Sequence, residues 1–206
     1  MSRVEHRTDD AEPLSPAESL ALIEQTMAEA RRALGISDWP FYLIWGTTWA
    51  VGFGATHWAH LGPGWPTPLG AGMTWSFAAL VAVVLSVLVS VRHGRGIDGA
   101  SVRIGQRIGV AWTAWTLGTP LLGLALGLRA HEIGALVVLV VAVFFMGIGA
   151  AFVDDLQLGL GVWLMATDIA GVALGQEWYS LLLAVCGGGG MLVASALAYR
   201  KELASG

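Results

Sequence analysis

Six apolar stretches, each long enough to cross a bilayer, limit what this chain can fold into. They cover roughly residues 40–59, 70–91, 106–128, 132–153, 156–175 and 178–199. A helix needs about 20 apolar residues to cross a hydrocarbon core roughly 30 Å thick. The sequence therefore predicts an all-α, polytopic membrane protein, with a bundle of six transmembrane helices over residues 39–200. The second and fourth stretches are apolar all round, which favours exposure to lipid.

The composition excludes several other classes of protein. Of 206 residues, 55% are hydrophobic and 13% are charged, whereas soluble domains carry about 25% charged residues. A net charge of −4 provides no basic surface for nucleic acid. The lone cysteine, Cys186, excludes an intrachain disulfide and a thiolate zinc cluster. The chain has no P-loop, GxSxG, HExxH or CxxC motif, so no cofactor and no metal site is predicted.

The positions of the cationic residues predict the orientation. If six helices cross the membrane, ten of the 11 arginine and lysine residues fall on one side and Arg129 falls on the other. The positive-inside rule then places both termini in the cytoplasm. The cationic residues are almost all arginine, and the chain is rich in alanine, glycine, leucine and valine, which is typical of a GC-rich bacterial genome and indicates the plasma (inner) membrane.

The polar segment before the first apolar stretch has two parts. Residues 1–13 are polar without periodicity and are predicted to be disordered. Residues 14–36 are predicted to form a cytoplasmic amphipathic helix, in which Ser15 and Glu18 have the spacing of a capping box and Pro16 takes the first helical position. Its apolar stripe lies either on the membrane or the bundle, or it binds a partner protein through residues 15–35.

Asp168 is the main candidate for a functional residue. It lies in GVWLMATDIAGVALG, and counting from the ends of the fifth stretch predicts a position near mid-span. An ionised aspartate at the bilayer centre costs roughly 3 kcal/mol on insertion scales, so it must face protein, water or a cation. The structural alternative is an aspartate that is protonated or hydrogen-bonded to a threonine or tryptophan of a neighbouring helix.

Four consecutive glycines, Gly187–Gly190, interrupt the last apolar stretch. One interpretation is close packing, because small residues allow membrane helices to approach one another. The other is a broken helix whose freed backbone groups face a cavity, as in transporters. Both this run and Asp168 are predicted near the midplane, which would place a carboxylate beside a deformable backbone.

Aromatic residues inside the first and third stretches complete the candidate site. They serve packing alone, or they form an aromatic cavity whose ring faces attract a cation by about 1–2 kcal/mol, with Asp168 as the counter-charge. The candidate substrate-binding residues are Asp168, Trp49, Trp112, Trp115, Thr116, Gly187 and Gly188.

These residues predict binding or transport of a small cationic or amphipathic molecule, by this chain alone or as a subunit of a larger transporter. A membrane-embedded enzyme is one alternative, in which Asp168 is the candidate catalytic acid and aromatic faces stabilise a carbocation from a lipid or isoprenoid. The other is a non-catalytic membrane anchor or regulator that acts through the N-terminal helix. A homo-oligomer is also considered, with the spacing of Gly123 and Gly127 as one contact face.

Overall fold

The computed structural model describes residues 15–20, 22, 38–62, 68–93 and 100–205. The chain divides into two units, Met1–Gly35 and Ile36–Gly206. In the first unit, residues 16–20 are helical. The Ser15 N–H donates to the Glu18 carboxylate at 2.8 Å, and the Glu18 N–H donates to Ser15 Oγ at 3.2 Å. The predicted capping box is thus confirmed, while the predicted tail and most of the predicted amphipathic helix lie outside the described residues.

The second unit is built from helices throughout its described part. They are α1 (Trp39–His60), α2 (Pro68–His93), α3 (Ala100–Ala125), α4 (Ala130–Phe152), α5 (Asp155–Leu174), α6 (Gln176–Leu182) and α7 (Gly189–Ser205). A π-helical segment, Leu183–Gly188, joins α6 to α7. The Asp38 end of the bundle is the end at which α1 begins, and the His60 end is the end at which α1 finishes.

Five helices are long and apolar enough to cross a membrane, as expected of a multi-pass membrane protein. They are Leu69–Arg92, Gln106–Ala125, Ala130–Phe152, Asp155–Leu174 and the continuous run Gln176–Ala204. Helix α1 is also long, at 22 residues, and carries no charged side chain other than its histidines. Its tryptophans, glycines and threonines make it less hydrophobic than the other five.

The least hydrophobic of these long helices occupies the centre of the bundle. Helix α1 packs against α2, α6, the π segment and α7, and it buries Tyr42, Trp49 and Phe53. Gly46 allows α7 to approach closely, because an added Cβ there would lie 2.9 Å from Met191 Cβ. The other helices therefore shield the polar and aromatic groups of α1.

Helices α4 and α5 form a second closely packed pair. At Gly161, an added Cβ would lie 2.7 Å from the Met146 nitrogen and 2.8 Å from the Ala142 oxygen. Val138 and Ala142 of α4 are almost completely buried. The expectation that the fourth stretch is exposed to lipid therefore does not hold for this face. The small residues mark the face of α4 that packs against α5. A helix that is apolar on every side gives no sign of which face that is.

Helices α2 and α3 are peripheral. Helix α2 packs on α1 and helix α3 on α4, and only 6% of each span is buried inside the protein. Their outward faces carry large exposed side chains, including Met73, Phe77, Leu80, Val110, Leu117 and Leu121. Such faces suit contact with lipid chains.

Candidate functional site

Asp168 is buried inside the bundle, but it does not lie at mid-span. The residue is 5% exposed. It is six residues before the end of α5 at Leu174, which corresponds to about 9 Å along the helix axis. Asp168 therefore lies about one helical turn beyond the middle of α5, toward the His60 end, and its depth in the membrane stays a prediction. The expectation that the side chain faces protein agrees with its burial.

Tyr179 is the hydrogen-bonding partner of Asp168. Its hydroxyl donates to Asp168 Oδ1 at 2.8 Å, and Tyr179 is 4% exposed. The turn at Gly175, which has a φ of 90°, separates α5 from α6 and brings the two residues together. Gly171 leaves space for the ring, since an added Cβ there would lie 2.9 Å from Tyr179 Cδ2.

Sequence analysis did not find Tyr179, although a signal for it was present. Gly175 marks a helix break, with Asp168 on one side of it and Tyr179 on the other. A tight turn folds such residues toward each other. The structural alternative for Asp168 is thus partly correct: the side chain is hydrogen-bonded, but to a tyrosine.

An aromatic cluster surrounds this pair. The Phe53 ring centroid lies 6.2 Å from that of Tyr179, 5.6 Å from that of Trp49 and 4.9 Å from that of Trp75. The Trp75 indole donates to Thr56 Oγ1 at 3.1 Å, which fixes its ring at the edge of the cluster. Trp49 is therefore connected to Asp168 through a chain of contacts by way of Phe53 and Tyr179.

The glycine run favours the close-packing interpretation. An added Cβ would lie 3.3 Å from Trp49 Cε3 at Gly187 and 2.7 Å from the Ala50 nitrogen at Gly188. Both glycines are buried against α1, and they follow Tyr179 by about two helical turns. The sequence had predicted that the glycines lie beside Asp168, but their close contacts are with α1.

The backbone at this run is nevertheless irregular. Residues Leu183–Gly188 form a π-helical segment, which often marks a functional site. The Trp163 indole of α5 donates to the Cys186 carbonyl at 2.8 Å. This bond supplies a partner to a carbonyl in the altered hydrogen-bond ladder, so the irregular turn is held by a neighbouring helix.

The remaining candidates form a separate group on α3. Trp112 packs at 4.8 Å from Phe144 of α4, between ring centroids, and Trp115 packs at 5.9 Å from the same ring. Thr116 Oγ1 donates to the Trp112 carbonyl at 2.8 Å, within its own helix. Trp115 is 44% exposed. The structure thus divides the seven candidate residues into a central group with Asp168 and a peripheral group on α3.

Two open surface grooves lie on the peripheral helices α2 and α3. One runs along α2 and is lined by Leu69, Gly72, Met73, Ser76, Phe77 and Leu80. The other lies on α3 and is lined by Gln106, Arg107, Val110 and Ala111. Neither groove is lined by Asp168 or by an aromatic residue of the candidate set.

The histidines near the His60 end bind backbone carbonyls. His57 Nδ1 lies 3.2 Å from the Glu177 oxygen, and His60 Nδ1 lies 2.7 Å from the Thr56 oxygen. The first contact joins α1 to α6 beside Tyr179. Within the described ranges, no three histidine, cysteine or acidic side chains are grouped as metal ligands.

A second acidic cluster lies at the Asp38 end, and sequence analysis did not anticipate it. Desolvation by the surrounding protein and the negative charge of Asp154 raise the pKa of Asp38 from 3.8 to about 6. The positive charge of Lys201 lowers this pKa. Asp154 Oδ1 accepts the Leu156 and Gln157 N–H groups at 3.0 and 3.1 Å and caps α5.

Comparison with known protein families, with curated proteins and with solved structures finds no match. The functional argument therefore depends on the geometry of this chain.

Proposed function

We propose that this chain is a six-helix membrane protein that binds a small cationic or amphipathic molecule and carries it across the membrane, alone or as a subunit of a larger transporter. Helix α1 would be the sixth span, since its 22 residues suffice to cross a bilayer. Its central position supports this, because the helices around it would shield its less apolar side chains from lipid.

The same proposal assigns the orientation and the compartment. Arg92, Arg107, Arg200 and Lys201 belong to the Asp38 end, whereas Arg129 lies at the start of α4, near the His60 end. The positive-inside rule then supports cytoplasmic termini in a bacterial plasma membrane. The capping box supports a cytoplasmic helix over residues 14–36, which would lie on the membrane or bind a partner protein.

The observation that carries the proposed function is a buried acid without a cation. Asp168 accepts a hydrogen bond from a neutral hydroxyl, and no cationic side chain of the described residues acts on it. An acid placed this way inside a membrane segment is a functional site by default, because its charge is costly there. A cationic ligand, or a proton, would compensate that charge.

The aromatic cluster adds selectivity for an amphipathic cation. The Phe53 ring packs against Tyr179, and the rings of Trp49 and Trp75 pack against Phe53. Ring faces attract a desolvated cation by about 1–2 kcal/mol, and they also accept apolar groups. Because Asp168 is buried, the ligand would enter through a rearrangement, for which the π segment after α6 is the candidate hinge.

The enzyme alternative receives less support from the geometry. Of the three tryptophans expected to stabilise a carbocation, Trp49 belongs to the cluster near Asp168, whereas Trp112 and Trp115 lie on α3 and pack against α4. The anchor alternative depends on the N-terminal helix, most of which lies outside the described residues. A homo-oligomer would have to use another face than Gly123, where an added Cβ would already lie 2.7 Å from Ile133 Cγ1 of the same chain.

Binding of tetraphenylphosphonium to the full chain in lipid nanodiscs tests the proposal. We expect saturable binding that Asp168→Asn weakens roughly tenfold or more and that Asp168→Glu partly retains. Asp155→Asn is the matched control, since this exposed acid lies at the opposite end of the same helix.

Tetraphenylborate, an anion of the same shape, separates charge recognition from partition into lipid. It should not show saturable binding. Equal binding of both ions, or unchanged binding by Asp168→Asn, would overturn the proposed function. In that case, product formation from isoprenoid substrates would test the enzyme alternative.

A further inference from the structure

The Asp38 end contains a buried hydroxyl that has no hydrogen-bonding partner. Tyr42 is 3% exposed, and its hydroxyl oxygen is buried without a partner in the described part of the chain. Its ring packs at 6.0 Å from Phe145 of α4, between centroids. Because an unpaired buried hydroxyl costs about 1–3 kcal/mol, this position needs a physical explanation.

Two carboxylates lie within electrostatic reach of this hydroxyl. The negative charges of Asp38 and Asp154 both interact electrostatically with the Tyr42 hydroxyl. The charge of Asp154 also interacts with Asp38. Asp38 occupies the N-cap position of α1, yet its side chain makes no capping hydrogen bond. Its oxygens are therefore not used to stabilise α1, unlike those of Asp154 at α5.

Helices α1 and α7 meet beside this cluster. Ser195 Oγ of α7 donates to the Trp39 carbonyl at 2.8 Å, and the rings of Trp39 and Tyr199 lie 5.2 Å apart. These contacts bring the end of α7 to the start of α1. Lys201, two residues after Tyr199, is the one cation of the described residues that acts on Asp38.

The charges of the cluster do not balance. Asp38 and Asp154 carry two negative charges when ionised, and Lys201 contributes one positive charge. Among the residues that the structure describes, the deficit is one unit. Hard cations prefer carboxylate and other oxygen ligands, and the Tyr42 hydroxyl offers a third oxygen.

We propose that Asp38, Tyr42 and Asp154 form a binding site for a small monovalent metal cation, of the sodium or potassium class, at the end of the bundle where α1 begins. The cation neutralises the remaining charge and gives the Tyr42 hydroxyl oxygen a partner. The site is independent of Asp168, which lies toward the opposite end of the bundle.

Titration of the full chain in nanodiscs with sodium or potassium chloride tests this site. The reference salt is N-methylglucamine chloride at matched ionic strength, and the readouts are thermal stability and the line width of ²³Na resonances. We expect a saturable effect of one or both metal ions. Asp38→Asn should weaken it roughly tenfold or more, and Tyr42→Phe should weaken it several-fold.

The controls distinguish a cation site from a general effect of charge. Asp155→Asn removes an exposed acid next to the cluster and should leave the titration unchanged. Asp168→Asn should also leave it unchanged, so failure of this proposal and failure of the proposed function are separable.

Two results would overturn the proposal. The first is equal stability and equal line width in the metal and N-methylglucamine salts. The second is a metal effect that persists unchanged in Asp38→Asn or Tyr42→Phe.

Discussion

Tyr42 and Tyr179 are both buried in the bundle, near opposite ends, and each lies close to an aspartate. Tyr179 donates a hydrogen bond to Asp168 at 2.8 Å. The Tyr42 hydroxyl has no partner among the described residues, although Asp38 and Asp154 are near it. The same pair of residue types is thus satisfied at one end and unsatisfied at the other.

The local backbone explains this difference. At the His60 end, the Gly175 turn folds α6 back so that Tyr179 meets an aspartate that has no other described partner. At the Asp38 end, one oxygen of Asp154 is already engaged in capping α5. The hydroxyl of a buried tyrosine is therefore paired where one turn sets the geometry, and it is open to a ligand where separate helices meet.

Matched substitutions of the two tyrosines should show the largest difference. We expect Tyr179→Phe to lower the free energy of unfolding by about 1–2 kcal/mol, because it leaves the Asp168 carboxylate without its donor. In sodium- and potassium-free buffer, Tyr42→Phe should change this energy by less than about 0.5 kcal/mol, since it removes an unpaired hydroxyl. Unfolding of the purified variants in detergent measures both. Equal losses would contradict the comparison.

The lengths of the helices were predictable, because the bilayer sets them. The stretch 40–59 corresponds to Trp39–His60, and 70–91 corresponds to Pro68–His93. The capping box was also predictable, since Ser15 and Glu18 are local neighbours. These predictions depend only on hydropathy and short-range spacing.

The contacts between helices were not predictable to the same degree. A helix that is apolar all round carries no signal for the face that packs, so α4 could not be distinguished from α2. Asp168 could be singled out because a membrane acid is costly, but its partner depended on the turn at Gly175. The Asp38 cluster depends on contacts between residues far apart in sequence, and Asp38 lies just outside the predicted span.

A pair of glycine substitutions should sharpen the description of the Tyr179 end. An added Cβ would lie 2.9 Å from the Tyr179 ring at Gly171, but 3.7 Å at Gly134, an ordinary contact. We expect Gly171→Ala to destabilise the bundle by about 1 kcal/mol through overpacking. Gly134→Ala should be neutral or stabilise it by up to about 1 kcal/mol through helix propensity.

The same unfolding measurement compares the two glycine variants. Gly171→Ala should also weaken tetraphenylphosphonium binding, because it displaces the donor of Asp168, whereas Gly134→Ala should not. Equal tolerance of both substitutions would mean that the Tyr179 ring is not held tightly between α4 and α5.

The smallest expected effect is the pH dependence of stability at the Asp38 end. The pKa of Asp38 is raised from 3.8 to about 6, first by the surrounding protein and then by Asp154. The native state therefore binds the proton more tightly than the unfolded state, so this contribution to stability is complete below about pH 4 and is lost as the pH rises to about 6. Because Asp38 remains accessible to solvent, we expect the loss to stay below about 1 kcal/mol. The difference in unfolding between wild type and Asp38→Asn, measured across this range without alkali metal ions, isolates it. A difference that grows above about pH 7 instead would assign the titration to another group.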